Sequence, residues 1–275
     1  MTEILRYTAF TIDPAGGNPA GVVLDASGLD DARMLAIAKE LGYSETAFAL
    51  PTDDPRHFCV RFFSPLVEVA FCGHATIATS VALAKKIGDG PLVFDTMAGR
   101  VEIATGNGTA SLTSVPTHST EAAETLVRQA LKALHWEPED LAWPAHVAHG
   151  GADHLILGVE DRQTLTDLDY DFDALGDALR DAGLITAHLF HQRSADVFDV
   201  REPFPVGGVV EDPATGSAAA AFGGYLKALG TGHRSLVIHQ GVDMGRPSEL
   251  LVDIDPDGPR VTVTGAAVPI TPVRG

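Results

Sequence analysis

Short runs of β-branched and aromatic residues alternate along the chain with longer stretches whose apolar residues recur every three or four positions. The short runs predict strands at Arg6–Thr11, Gly21–Leu24, Thr46–Leu50, His57–Phe63, Leu92–Thr96, Val101–Ala104, Ala110–Ser114, His154–Gly158, Ala187–Gln192, Val197–Arg201, Ser235–His239, Glu249–Ile254 and Val261–Val268. The longer stretches predict helices at Asp30–Leu41, His74–Lys86, Ser119–Leu134, Asp171–Ala182 and Gly216–Leu229. Asp30 or Asp31 suits the start of the first helix and Gly42 its stop, while Asn107-Gly108 between two runs signals a hairpin. The pattern is that of an α+β protein rich in hairpins.

Part of this pattern occurs twice. Gly73–Gly88 (GHATIATSVALAKKIG) and Thr215–Gly230 (TGSAAAAFGGYLKALG) align without a gap, and both are small-residue helices ending in Lys-x-x-Gly. Each is followed by an apolar triplet, Leu92-Val93-Phe94 or Leu236-Val237-Ile238, and then by Gly-Arg. A duplicated unit predicts two domains of similar build with a site where the copies meet. The boundary is placed near Pro116, giving domains over residues 1–115 and 116–259, with the final strand of residues 260–275 returning to either half. Both repeated helices carry Ala, Ser and Gly on every face, which suits encirclement by a sheet.

Composition narrows the partners. In 275 residues, 37 Asp and Glu against 19 Lys and Arg leave a net charge of −18, which repels nucleic-acid backbones and anionic lipid. The apolar stretches stop near ten residues, short of the roughly 20 needed to span a bilayer, so no membrane partner is expected. The N-terminus lacks the pattern of a secretory signal, and the two cysteines, Cys59 and Cys72, form no CxxC pair, which together point to a cytoplasmic protein. None of the 11 histidines falls in an HExxH or paired-Cys spacing, and His146, His149 and His154 lie in a loop-like Pro/Gly-rich stretch, so no metal is expected. There is no P-loop, and Gly106-x-Gly108 sits in a hairpin-like turn with no helix after it, so no cofactor is expected either.

The candidate chemistry lies at the starts of the repeated helices, Cys72-Gly73-His74 and Asp212-Pro-Ala-Thr-Gly216-Ser217. A helix start leaves backbone N–H groups unpaired at the positive end of the dipole, and small residues let an anion approach them. The same residues also suit ordinary capping by Asp212 or Ser217. Glu45 stands between a helix stop and a strongly apolar strand, where partial burial would raise its pKa toward that of a general acid or base. Glu68 alternates with apolar neighbours, as a solvent-facing strand residue or a partner for Arg61.

Asn18-Pro-Ala-Gly, Ser44-Glu-Thr-Ala-Phe, Arg61-Phe-Phe-Ser-Pro with Glu68-Val-Ala-Phe-Cys-Gly-His-Ala-Thr, and Glu211-Asp-Pro-Ala-Thr-Gly-Ser-Ala-Ala occur in the order seen in one family. In these blocks, and over essentially its whole length, the chain resembles the PhzF-like isomerases of the phenazine biosynthesis family. The resemblance implies a diaminopimelate-epimerase-like fold, two pseudo-symmetric αβ domains that each wrap a curved, mostly antiparallel sheet around a central helix. It implies that Glu45 shuttles a proton, that His74, Asp212 and Ser217 line a cleft between the domains, and that Gly73 and Gly216 supply backbone amides. In the related amino-acid epimerases two cysteines act on opposite faces of a carbon; here Cys72 stands at the first position and Asp212 replaces the second.

Three functions follow as expectations. One is a cofactor-independent isomerase moving a proton within a small carboxylate-bearing substrate through Glu45. Another is an amino-acid racemase or epimerase using Cys72 with a carboxylate. The third is a non-catalytic small-molecule-binding protein. A homodimer is expected from the family and from a mean hydropathy of +0.11 in so acidic a chain.

Overall fold

The computed structural model describes residues 2–270. The chain divides into two compact units, Met1–Thr113 with Thr264–Gly275, and Ser114–Val263. The first unit contains β1 (Leu5–Ala9), β2 (Asn18–Val23), α1 (Asp31–Leu41), β3 (Glu45–Pro51), β4 (His57–Phe63), β5 (Glu68–Val69), α2 (Gly73–Ile87), β6 (Gly90–Thr96), β7 (Gly99–Gly106) and β8 (Thr109–Thr113). The second contains β9 (His118–Glu121), α3 (Glu124–Leu134), β10 (His146–His149), β11 (Asp153–Val159), α4 (Arg162–Thr166), α5 (Phe172–Asp181), β12 (Thr186–Ser194), β13 (Val197–Arg201), β14 (Pro203–Phe204), β15 (Val209–Glu211), α6 (Gly216–Ala228), β16 (Ser235–Gln240) and β17 (Ser248–Ile254). A last strand, β18 (Val261–Pro269), begins in the second unit and ends in the first. Residues 271–275 of the expected terminal segment lie outside the described residues.

In the first unit the strands run β1-β2-β3-β4-β6-β7-β8-β18, and β18 pairs back onto β1, with Thr8 opposite Val268 and Ala9 opposite Ala267. The path of strands therefore closes on itself, with the two-residue β5 paired to β4 off it. Two of its pairings are parallel, β2 with β3 and β4 with β6. A parallel pair cannot be joined by a tight turn and needs a crossover, which α1 and α2 supply. The first crossover is sharply ended: Asp30 caps α1 by accepting from the Arg33 N–H, and Gly42 closes it at φ 68°. Met34 and Ile37 of α1 bury against Val23, Phe48 and Phe63. The other crossover, α2, is buried at every position from His74 to Ala84 and contacts β1, β2, β3, β7 and β8. Two of its interior hydroxyls turn back onto the helix, Thr76 to the Cys72 carbonyl and Ser80 to that of Thr76, both at 2.7 Å.

The second unit repeats this plan. Its strands run β9-β10-β11-β12-β13-β16-β17-β18, with β11–β12 and β13–β16 parallel and the other registered pairings antiparallel. Crossovers are again helical, α4 and α5 for the first pair and α6 for the second. Ser114 and Thr117, just before β9, donate backbone N–H groups to Val261 and Pro259, which joins the two ends of the strand series. Here α6 is buried from Ala218 to Leu226, while α3 and α5 cover the opposite face of the sheet through Leu126, Leu131, Leu175 and Leu179. Each unit is thus a curved, mostly antiparallel sheet around one central helix.

Most elements expected from the sequence form within a few residues of the expected limits; β5, α4, β14 and β15 come in addition to them, and two further regions differ. Helix α3 starts at Glu124 rather than Ser119, because Ser119, Thr120 and Glu121 pair with β10 instead. The stretch holding His146 and His149 is strand β10, not a loop. Strand β9 buries no residue, so it has no alternation of apolar and polar positions to betray it. Among the described residues no helix is long and apolar enough to cross a membrane.

Gly150 permits the seating of α6: a Cβ there would lie 2.4 Å from the Ala221 nitrogen and 2.5 Å from the Ser217 carbonyl oxygen. Both are backbone atoms and cannot rotate away. Gly150→Ala is expected to lower stability by about 1–3 kcal/mol in urea unfolding. Gly28→Ala, where a Cβ meets nothing within 4 Å, should leave the midpoint unchanged or slightly raised.

Candidate functional site

In the first unit Glu45 opens β3 beside Ala20 of β2, and the chain re-enters the same region at Cys72, the N-cap of α2. An N-cap position ordinarily holds a side chain that accepts from the first turn. Cys72 makes no such bond; its thiol lies 3.5 Å from Glu45 Oε2 and 3.3 Å from His74 Nδ1. His74 Nε2 in turn lies 3.4 Å from Glu45 Oε2 and 3.3 Å from the Ser44 hydroxyl. Carboxylate, thiol, imidazole and hydroxyl therefore form one cluster at the start of a buried helix. The first rung of that helix is Thr76 N–H to the Cys72 carbonyl, so the N–H groups of Gly73, His74 and Ala75 precede the ladder.

Burial holds the His74 pKa below its ordinary value, and the Glu45 charge opposes that shift without cancelling it. A neutral imidazole has one N–H and one lone pair. The thiol has one proton to give, to Glu45 Oε2 or to His74 Nδ1, and His74 Nε2 faces both Glu45 and the Ser44 hydroxyl. Glu45 keeps about a fifth of its side chain exposed.

Glu68 is not part of this cluster. Arg61 grips it through two bonds of 2.7 Å, reaches Asp31 with a third nitrogen, and lies over the Phe63 ring. Its role is to tie β5 to β4.

In the second unit Asp212, Gly216 and Ser217 come together at the start of α6, each partly exposed. Thr215, the N-cap, donates its hydroxyl to Asp212. Gln240, buried at the end of β16, clasps the turn from behind: it accepts from the Thr215 N–H and donates to the Asp212 carbonyl at 2.8 Å. The Ala219 N–H makes the first rung, so those of Gly216, Ser217 and Ala218 precede it. The Ser217 hydroxyl meets His154 Nε2 at 3.2 Å.

Ser44 and Gln240 were not among the residues singled out from sequence; Ser44 stood within a quoted block, but nothing marks Gln240 except its place at a strand end. The histidines 146, 149 and 154 part company. His146 bonds Ser119, His149 bonds Asp153 and stacks on His118, and His154 is fully buried. Two groups do bring three ligand-type atoms within 4.8 Å, Glu45 with Cys72 and His74, and His118 with His149 and Asp153. In the latter the imidazole planes are 17° apart and stacked, so their in-plane lone pairs do not converge on one point.

Comparison with known proteins adds the context. The family profile described as phenazine biosynthesis-like protein, PhzC–PhzF, matches residues 7–272. An uncharacterized isomerase of Escherichia coli O157:H7 is 34% identical over 97% of this chain and 95% of its own. The trans-2,3-dihydro-3-hydroxyanthranilate isomerase of Pseudomonas fluorescens is 30% identical over 90% of this chain and 88% of its own. Among solved structures, a predicted epimerase of Pseudomonas aeruginosa superposes with a TM-score of 0.85 at 29% identity, covering 98% of both chains.

The His74 environment makes a measurable statement. Its titration midpoint by NMR is expected below the ordinary value of about 6.5, and Glu45→Gln should move it lower still, because that change removes the charge that favours the imidazolium. A midpoint that rises in Glu45→Gln would contradict this geometry.

Proposed function

From the premise that the chain belongs to the phenazine biosynthesis-like PhzC–PhzF family, we propose that it is a cofactor-independent isomerase that moves a proton within a small carboxylate-bearing substrate. The observation that carries this reading is the Glu45 carboxylate, held 3.4 Å from a neutral His74 and 3.5 Å from the Cys72 thiol at the head of α2. Relatives named as isomerases support the reaction class.

In this reading Glu45 takes a proton from a substrate carbon, and the electron pair of the broken C–H bond enters the adjacent π system. The protonated Glu45 then returns the proton to another carbon of that system on the same face. One C–H bond breaks and one forms, so no electrons leave the substrate and no co-reactant is consumed. In this reading the binding groups are His74 and the Gly73 N–H at the head of α2, and Asp212, Ser217 and the Gly216 N–H at the head of α6. The family expectation of a homodimer and of a cytoplasmic setting goes with this reading; light scattering that finds a monomer at micromolar concentration removes the former.

The thiol favours one competing reading. Cys72 has both a carboxylate and an imidazole in reach, the surroundings an α-proton-abstracting thiol requires, and the Pseudomonas aeruginosa neighbour is named an epimerase. Solvent-deuterium incorporation separates the two, with trans-2,3-dihydro-3-hydroxyanthranilate and a panel of cyclic and acyclic carboxylates, amino acids included, as probes. For the carboxylate shuttle, Glu45→Gln is expected to lower incorporation by about 10²–10⁴-fold, while Cys72→Ser stays within a few-fold. An epimerase requires the thiolate, which a serine hydroxyl cannot replace. Severe loss in Cys72→Ser with activity retained in Glu45→Gln overturns the shuttle.

A further inference from the structure

Behind Ser217 lies a chain of buried polar groups that the proposed reaction does not use. His154, Thr186, His188 and Glu202 are all fully buried. His154 Nε2 contacts the Ser217 hydroxyl at 3.2 Å, and His154 Nδ1 contacts the Thr186 hydroxyl at 2.6 Å. Thr186 donates to one carboxylate oxygen of Glu202, while His188 Nδ1 lies 2.7 Å from the other. Direct contact between His154 Nδ1 and Glu202 is 4.0 Å, too long for a hydrogen bond, so Thr186 is the bridge.

Counting protons along the chain gives it a direction. A hydroxyl has one proton, and that of Thr186 is committed to Glu202. The short contact between Thr186 and His154 is therefore made by a proton on His154 Nδ1. Burial, reinforced by His188 and His149, pushes the His154 pKa down to about 3, so the ring carries one proton only at neutral pH. Its Nε2 is then a bare acceptor. The one proton available to the contact with Ser217 is that of the serine hydroxyl itself.

We propose that His154, oriented through Thr186 by Glu202, is a positioning residue that turns the Ser217 hydroxyl proton toward itself and leaves the Ser217 oxygen to accept from a ligand donor. The consequence for catalysis rests on the reading that Ser217 binds substrate; the orientation itself does not. A substrate group that meets Ser217 is then an O–H or N–H, and a bare carboxylate is left to the backbone amides of α6. Glu202 and Thr186 never touch the ligand in this arrangement. They act by fixing one tautomer, the same logic by which a buried acceptor behind a histidine sets the function of the ring in front of it.

Two-bond ¹H–¹⁵N correlations on histidine-labelled full-length protein report which ring nitrogen is protonated, with no substrate needed. The expected result is a His154 protonated on Nδ1 and bare on Nε2 from pH 5 to 8. Thr186→Val keeps the shape but removes the bridging acceptor, and is expected to move the proton to Nε2. Thr186→Ser, which keeps the hydroxyl, should restore the wild-type pattern, and Glu202→Gln provides a second break in the chain that should also shift the tautomer. A wild-type His154 protonated on Nε2, or a tautomer indifferent to Thr186→Val, overturns the proposal. With a carboxylate probe that incorporates deuterium, Thr186→Val is expected to lower kcat/KM by about tenfold, the value of roughly one hydrogen bond, and Thr186→Ser to regain it. A shifted tautomer with unchanged kcat/KM overturns the positioning role. Failure of the isomerase reading looks different, as Glu45→Gln without effect on exchange while the tautomer pattern holds.

Discussion

A helix enclosed on all sides by strands can place polar backbone only at its ends, and that constraint organises both halves of this protein. Each unit contains a parallel strand pair whose crossover is the central helix, α2 between β4 and β6 and α6 between β13 and β16. Along their middles these helices are rich in small residues, so that strands approach closely, and in α2 the Thr76 and Ser80 hydroxyls return to the helix's own carbonyls. Their first turns cannot be satisfied in that way. The N–H groups ahead of the first rung form the positive end of the dipole, and in both units acceptors and ionisable side chains gather there.

What gathers differs between the two. At α2 the cap position holds a thiol that does not cap, and the carboxylate of Glu45 arrives from the start of a neighbouring strand to meet it and His74. The group is polar, partly open and able to exchange a proton. At α6 the turn is braced by Gln240 and Asp212, and the reactive-looking serine is backed by a deep chain ending in Glu202. In the proposed reading the first end moves a proton and the second holds its groups still. Burial underlies both, because a neutral histidine is cheaper than a charged one away from water, and a neutral ring has a direction that a charged ring lacks.

Much was legible before any coordinates. The duplicated helix-and-stop motif identifies the two central helices, and their small residues foretell complete burial, because period and side-chain size are local properties. The caps at Asp30 and Gly42 are likewise local, and the blocks around Glu45, His74 and Asp212 mark the family. The sequence also placed Glu68 with Arg61 as one of two options, a pairing the structure makes through two hydrogen bonds.

Other features depend on contacts between residues far apart in the chain. Strand β9 is polar throughout and exists because β10 pairs with it, so its residues were assigned to the following helix. His154 looked like one member of a histidine group in a loop; its role comes from Thr186, Glu202 and Ser217, which lie 32, 48 and 63 positions away. Gln240 meets Asp212 only because β16 runs beside the head of α6. Sequence by itself determined the periods, the caps, the repeat and the identity of the groups with chemistry. Tertiary structure decided which of those groups touch, and hence which nitrogen carries a proton, because hydrogen-bond direction is set by the partner on the far side of each ring and not by the residue's own neighbours.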